Sequence, residues 1–309
     1  AINLPILTNA ERKEVGTLYK LEGQQAAIRA GFRLVGPRLH DIITTAETLG
    51  SELLVHCWRG GMRSANFCQF IGMARIKSHQ LVGGYKAYRI KALETFKVPL
   101  QLNVLGGCTG SGKSEILRAL HARGEQIIDL EQLANHKGSV FGGLGQQPQP
   151  TTEQFQNNLF ETIFKLDLTK PVWIEDESIV VGKIFLPLDL WQQMKQAPVI
   201  EIKVDRHVRV KRLTQEYGNA NPKAFIEAMT KITKKLGGQH FNAAREKVEV
   251  GDMQAAIDIL LVYYDKAYLN GLDKKQARIV HELNWDGHNA SSVAEFLREN
   301  QYQKNNPSR

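Results

Sequence analysis

Leu102-Asn103-Val104-Leu105-Gly106-Gly107-Cys108-Thr109-Gly110-Ser111-Gly112-Lys113-Ser114 is the stretch that decides the fold of the larger part of this chain. A short apolar run, expected as a strand over 100–105, leads into Gly107-x4-Gly112-Lys113-Ser114, and a helix is expected over 113–122. Strand, glycine-rich turn and helix in that order make a P-loop, and it is the flanking elements that lift the motif above a chance match. The backbone amides of Thr109, Gly110, Ser111, Gly112 and Lys113 are placed to wrap phosphate oxygens, with the Lys113 ammonium as a point charge. Ser114 is the residue expected to hold Mg²⁺ where a metal accompanies the phosphates. Cys108, inside the loop, reads as a small buried side chain.

Outward from the loop the pattern alternates. Gln126 to Leu130, Val172 to Glu175 and Val199 to Val204 read as strands, and strands alternating with helices imply a parallel sheet. Trp173-Ile174-Glu175-Asp176-Glu177-Ser178 ends one of them in three carboxylates. Asp176 or Glu175 is therefore expected to bind Mg²⁺ through water or to activate a nucleophile, with Ser114 as the partner ligand. Asp129-Leu130-Glu131 ends another strand and can complete the same pocket. His136-Lys137-Gly138-Ser139-Val140-Phe141-Gly142-Gly143 reads as a flexible basic-aromatic loop suited to covering a ligand, and 146–152, rich in Gln and Pro, as an exposed loop. No Asn-Lys-x-Asp guanine reader is present, and a phosphate cradle alone accepts a diphosphate from any source.

Toward the N-terminus, Leu53-Leu54-Val55-His56 ends at Cys57, a helix is expected over 64–73, a strand over 78–82, a break at Gly83-Gly84, and a helix over 85–96 before Pro99. In His56-Cys57-Trp58-Arg59-Gly60-Gly61-Met62-Arg63-Ser64 the loop amides and the helix N-terminus point at the sulfur and stabilise a thiolate. Gly60 and Gly61 let the backbone curl, Arg63 is placed to close the ring, and Arg59 adds a second charge at its rim. His56 is expected to support the loop rather than act as a base, and Cys68 to lie in the core. Two families share this plan. Cys-x5-Arg-Ser resembles the protein tyrosine phosphatases, in which the thiolate attacks a phosphoryl group, and also the rhodanese domain, in which cysteine carries a transferable sulfur or selenium atom. The flanks favour rhodanese: Ala1-Ile2-Asn3-Leu4-Pro5 resembles its Gly-Ala-x-Asn-x-Pro segment, and Leu81-Val82-Gly83-Gly84-Tyr85-Lys86-Ala87-Tyr88 its Gly-Gly-x-x-x-aromatic segment. The chain opens in mid-pattern, after the family's Asp-x-Arg stretch, so this domain is expected to be truncated at its N-terminus.

The fold expected is therefore α/β: a truncated rhodanese-like domain over 1–98, then a P-loop NTPase-like parallel-sheet domain over 99–309 with a helical, basic C-terminal part from about 206. A chain of 309 residues has room for two cores, and its 42% hydrophobic and 23% charged content is that of a globular protein. The three cysteines have no metal-ligand spacing, which points to reduced thiols and a cytoplasmic location. No run approaches the ~20 apolar residues of a membrane span. A net charge of +8 favours polyanionic partners. Arg206, Arg209, Lys211 and Arg212, then Lys231, Lys234 and Lys235, can track an RNA backbone, and Tyr263, Tyr264 and Tyr268 can stack on bases, against the plainer reading of solvated lysines and core tyrosines.

The two signatures together resemble the bacterial tRNA 2-selenouridine synthases. The resemblance is carried by Cys57-x-Arg59-Gly60-Gly61-x-Arg63-Ser64, Gly83-Gly84-Tyr85-Lys86-Ala87, the P-loop, Asp129-Leu130-Glu131-x-Leu133-Ala134-x-His136, Gly138-Ser139-x-Phe141-Gly142, Glu175-Asp176-Glu177-Ser178 and Tyr263-Tyr264-Asp265. It implies a transferase that geranylates a wobble 2-thiouridine of tRNA with geranyl diphosphate and then replaces the geranylthio group with selenium from selenophosphate. Cys57, with Arg59 and Arg63, would carry selenium. The loop from Thr109 to Ser114, with Asp176, would hold the diphosphate and its Mg²⁺, no cofactor being tightly bound. Phe141, Phe155 and Phe160 are candidates for the prenyl groove. Three other classes compete: a small-molecule P-loop kinase fused to a sulfurtransferase, a Cys-x5-Arg phosphatase, and a tRNA-binding module without catalysis.

Overall fold

The computed structural model describes residues 1–272 and 275–300, and the last residues of the expected second domain, 301–309, lie outside them. The chain divides into two compact units, Ala1–Lys91 and Ala92–Arg309.

The first unit opens with helices α1 (Asn9–Leu21), α2 (Gln24–Val35) and α3 (Leu39–Leu49). Thr8 starts α1 with a capping box: its hydroxyl accepts the Glu11 amide while Glu11 accepts the Thr8 amide at 2.7 Å. Strand β1 (Glu52–Val55), helix α4 (Met62–Met73), strand β2 (Lys77–Gln80) and helix α5 (Gly84–Thr95) follow. The two strands pair in parallel, Glu52 opposite Lys77 and Val55 opposite Gln80. Ile6, Val35, Ile42, Ala46, Phe67 and Ile71 form the buried cluster of this unit.

The second unit is a five-stranded parallel sheet. In chain order its elements are β3 (Leu102–Gly106), α6 (Lys113–Ala122), β4 (Gln126–Ile128), α7 (Leu130–Ala134), α8 (Thr152–Phe164), β5 (Val172–Glu175), a two-stranded β6 (Val180–Val181) and β7 (Ile184–Phe185), α9 (Leu188–Gln196) and β8 (Val199–Lys203). Then come α10 (Arg206–Tyr217), α11 (Pro222–Thr230), α12 (Thr233–Leu236), α13 (Gly238–Glu249), α14 (Met253–Leu272), β9 (Ile279–Asn284) and α15 (Ala290–Glu299). The strand order is β4-β5-β3-β8-β9. The chain leaves the central strand β3 toward one edge and later crosses to the other, so the carboxyl end of β3 is the switch point where such sheets bind ligands. β3 is buried along its whole length, as a central parallel strand covered by helices on both faces must be. Ile116, Leu117 and Leu120 of α6 are fully buried in the same cluster as Val293, Ala294 and Leu297 of α15, each contributing on the order of 1.5–3 kcal/mol.

Two differences from the sequence reading have local causes. The strand expected over 126–130 stops at Ile128 because Asp129 caps α7, its carboxylate accepting the Gln132 amide at 2.8 Å. The tail beyond Asp205 is mostly helical but returns one edge strand, β9, which pairs with β8. Among the described residues no helix is long and apolar enough to cross a membrane.

Candidate functional site

In the first unit the sequence Cys57 to Ser64 forms a closed loop between β1 and α4. The Cys57 carbonyl accepts the Tyr85 amide and the Trp58 carbonyl the Lys86 amide, both at 2.9 Å, so the first turn of α5 braces the loop from behind. Gly84 sits at φ +61, and a Cβ there would collide with the Cys57 carbonyl and the Gly60 amide. Only glycine allows that approach.

The Cys57 sulfur lies 3.2 Å from the Ser64 hydroxyl, and Ser64 is held by the Gly61 carbonyl at 3.1 Å and the Gln80 amide at 2.9 Å. Burial pushes the thiol up, but the Ser64 hydroxyl and the amides of Ser64, Arg59 and Gly61 outweigh it and bring the pKa down to about 7. These hydrogen bonds favour the charged form. The sulfur opens on a cavity of about 620 Å³ whose wall includes Trp58, Arg63 and Tyr85. Arg59 and Arg63 are exposed; Arg59 reaches the sulfur through its backbone amide. Ser64 and Gln80 are the residues that sequence reasoning did not assign. A polar residue at the end of β2, one strand over from Cys57, was the available signal. His56 is exposed, its ring 6.1 Å from Tyr85, and Cys68 is half-buried on α4.

In the second unit the P-loop joins β3 to α6. Gly107, Gly110 and Gly112 adopt φ of +143, +81 and +78, the left-handed region that glycine tolerates. Among the described residues the amides of Gly110, Gly112, Lys113 and Ser114 have no acceptor, and Lys113 Nζ donates to the Gly107 carbonyl at 2.9 Å. Unpaired amides at a helix N-terminus beside an ammonium form an anion site. They open on a cleft of about 730 Å³.

The loop itself is held from the helical region. Tyr268 accepts the Gly107 amide at 2.7 Å. Arg209 and Arg212 of α10 donate to the carbonyls of Thr109 and Gly110, each at 3.3 Å. Arg209 is buried and paired with Asp265 through both guanidinium nitrogens at 2.7 and 2.9 Å. Arg212 lies 4.7 Å above the Trp285 ring and pairs with Glu115 at 3.2 Å. Ser111 is fully buried against Gly107, and burial keeps the Cys108 thiol pushed up, hence protonated.

Five carboxylates gather across the cleft from Lys113. Glu131 accepts the Ser114 hydroxyl at 2.7 Å. Glu175 is fully buried, takes the Glu131 amide at 2.9 Å through one oxygen, and burial pushes its pKa well above the usual carboxylate range. Asp129 caps α7. Asp176 is ion-paired with Lys275 and lies 3.6 Å from Lys195. Glu177 is pushed up to about 7 by burial and the neighbouring Glu131. The acid brought to Ser114 is thus Glu131, while Asp176 is committed to two lysines. Among the described residues no three His, Cys, Asp or Glu side chains converge as metal ligands. The donors present suit a Mg²⁺ held mostly by water and phosphate oxygens, with Ser114 as its protein ligand.

The tail residues separate by role. Arg206 pairs with Asp258 at 2.7 Å, Arg209 and Arg212 serve the P-loop, and Tyr264 and Tyr268 line the cleft. Lys231, Lys234 and Lys235 are exposed, without a carboxylate partner among the described residues. Of the loop over 136–143, His136 and Phe141 are buried, and Lys137, Gly138 and Ser139 line the cleft.

A family model described as the tRNA 2-selenouridine synthase AAA domain matches residues 100–304. Proteins named tRNA 2-selenouridine synthase from Shewanella sediminis (strain HAW-EB3), Shewanella frigidimarina (strain NCIMB 400) and Bdellovibrio bacteriovorus (strain ATCC 15356 / DSM 50701 / NCIMB 9529 / HD100) are each 33% identical to it. The matches cover 90, 91 and 91% of this chain and 84, 86 and 86% of those proteins. With a P-loop unit matched along its length and relatives aligned across both units, the chain belongs to the tRNA 2-selenouridine synthase family.

Proposed function

We propose that this chain converts a wobble 2-thiouridine of tRNA to 2-selenouridine in two steps, using geranyl diphosphate and then selenophosphate, and that its first unit is a rhodanese-like domain. In the first step the thiouridine sulfur forms a bond to C1 of the geranyl group and diphosphate departs with the electron pair of the broken C–O bond, the N3 proton of the base going to solvent. The P-loop amides and Lys113 stabilise the charge that builds on the leaving oxygens. Ser114 would hold a Mg²⁺ accompanying the diphosphate, which would supply further charge neutralisation to the leaving group.

In the second step the selenium of selenophosphate adds at C2 of the base, geranylthiol leaves with the electron pair of the broken C–S bond and a proton from solvent, and water cleaves the Se–P bond to release phosphate, selenium staying at the selenide level throughout. An S-geranyl group on the base is a better leaving group than a bare sulfide, which is the physical reason for the first step. Cys57 is assigned to this selenium-transfer step without a change in selenium's oxidation state, its thiolate loop holding the donor's selenium end while Arg59 and Arg63 at the rim attract the anionic donor.

The observation that carries this reading is the Cys57 sulfur, brought to about 7 by four hydrogen-bond donors in a cavity open to ligand. Such a thiol is substantially ionised at neutral pH and unlike a structural cysteine. The test is mass spectrometry of nucleosides from thiolated tRNA incubated with the protein, geranyl diphosphate and selenophosphate. S-geranyl-2-thiouridine without selenophosphate, and 2-selenouridine with it, are expected. Unmodified 2-thiouridine under both conditions overturns the assignment.

A further inference from the structure

We propose that the apolar tail of the prenyl diphosphate leaves the P-loop along a wall made by Leu213, Tyr217 and Tyr264, and that Phe141 closes its far end and so sets the chain length. This rests on the diphosphate assignment above and adds the subsite for the hydrocarbon.

Two cavities share one partition. Thr109, Ser139, Leu213, Tyr217 and Tyr264 line the 730 Å³ cleft over the phosphate loop, and the same five residues border a second, nearly filled pocket of about 20 Å³ behind it. The floor of that second pocket is entirely hydrocarbon, with Phe141, Phe225, Ile257, Leu260 and Leu261. Carbon begins directly at the cradle: a Cβ built on Gly110 would lie 3.0 Å from Leu213 Cδ1, so the P-loop turn rests on Leu213. A ligand whose phosphates lie on the loop amides meets apolar surface at its first carbons.

Both tyrosine rings line the cleft beside Ser139. The Tyr264 hydroxyl accepts the Val140 amide at 3.2 Å. Burial pushes both phenols upward, so neither ionises near neutral pH. With the Tyr264 hydroxyl engaged by the Val140 amide and both phenols neutral, the rings offer the cleft an uncharged surface, as a hydrocarbon chain requires.

Phe141 stacks on Phe225 with ring centroids 4.4 Å apart and stands 6.2 and 6.4 Å from the rings of Tyr217 and Tyr264. It fills the space that a longer chain would enter, leaving a residual pocket too small for an isoprene unit. Phe155 and Phe160, the other aromatic candidates from the sequence, are buried on α8 and line neither cavity.

The test uses the full chain and two readouts. A geranyl diphosphate analogue with a diazirine on its distal isoprene unit is photolysed with the protein, and labelled peptides are mapped. Adducts within 206–217, 253–268 or at Phe141 are expected; adducts confined to 152–164 or to the first unit overturn the subsite. In parallel, Phe141→Ala and the milder Phe141→Leu are compared with the wild type on geranyl and farnesyl diphosphate. The farnesyl-to-geranyl ratio of kcat/KM should rise roughly tenfold or more in Phe141→Ala, the scale on which pocket size discriminates between chains. An unchanged ratio in a variant that still transfers geranyl overturns the end-stop role. Labelling of the wall by a wild-type protein that transfers no prenyl group defeats the proposed reaction but not the subsite. Transfer with labels elsewhere defeats the subsite alone.

Discussion

Tyr268 donates its hydroxyl to Glu201 at 2.5 Å and accepts the Gly107 amide at 2.7 Å, so a helix 161 residues along the chain fixes the first turn of the phosphate loop. Glu201 is buried at the end of β8, and burial raises both its pKa and that of Tyr268. Tyr268→Phe leaves a loop amide and a buried carboxyl without their partner, which costs about 1–3 kcal/mol. The urea midpoint should fall accordingly and the KM for the prenyl diphosphate should rise. A variant with wild-type midpoint and KM would show the contact to be incidental.

The Cys57 pKa of about 7 makes a direct kinetic claim. Because the thiolate is the nucleophile, alkylation of Cys57 by iodoacetamide should rise with pH through a midpoint near 7, well below an ordinary thiol. Ser64→Ala removes the hydroxyl 3.2 Å from the sulfur and should move that midpoint upward. Peptide mapping of the adduct against pH checks both. Cys57→Ser should abolish selenium incorporation and spare geranylation, and full selenation by that variant removes Cys57 from the selenium-transfer step.

What could be read from the chain divides by the range of the interaction involved. The P-loop and the thiolate loop are local motifs whose glycines, lysine and cysteine act within a few residues of one another, and both loops lie between the strand and helix expected of them. The acid beside Ser114 was harder to find. Asp176 follows the strand adjacent to β3, but Lys275, a hundred residues on, takes its carboxylate, and Glu131 occupies the position instead. The partners of the basic cluster at 206–212 were illegible for the same reason: Asp258 and Asp265 pair with two of its members from α14. Helix α1 was not read from the sequence although Thr8-x-x-Glu11 carried a local start signal, and β9, Ile279-Val280-His281-Glu282-Leu283-Asn284, was missed because its alternation is weak.

Lys113→Ala removes the ammonium that faces the cleft from the P-loop. Its stabilisation is largest on the departing diphosphate, so kcat for geranylation should fall more than the KM rises, by about 10²–10³ in kcat. Single-turnover geranylation measures it. Unchanged kinetics would remove the P-loop from the reaction.

Glu175 offers a stability test with a definite sign. Folded, burial raises its pKa well above that of an ordinary carboxyl; unfolded, it titrates as an ordinary carboxyl. The folded state therefore binds more protons between those two values, and this group's contribution is full at low pH and is lost as pH rises toward the folded pKa. Glu175→Gln keeps an acceptor for the Glu131 amide and has no proton to lose. The variant should match the wild type near pH 5 and be the more stable near pH 8. Parallel urea curves at both values, with the same wild-type deficit at each, would mean that Glu175 is ionised in the folded protein.

Lys231, Lys234 and Lys235 are exposed cations clustered around α12 without carboxylate partners among the described residues. Lys231 is near enough to the 136–143 loop for its charge, together with burial, to lower the pKa of His136. The same loop lines the cleft through Lys137, Gly138 and Ser139. Each phosphate neutralised contributes about 0.7–0.9 to the slope of log K against log salt. Replacing all three lysines with alanine should therefore weaken tRNA binding and flatten that slope by about 2–3, while leaving the pH midpoint of Cys57 alkylation in place. Filter binding over a salt series gives the slope. A weaker affinity with an unchanged slope would mean that the lysines act through the fold, and an unchanged affinity would move the tRNA to another face.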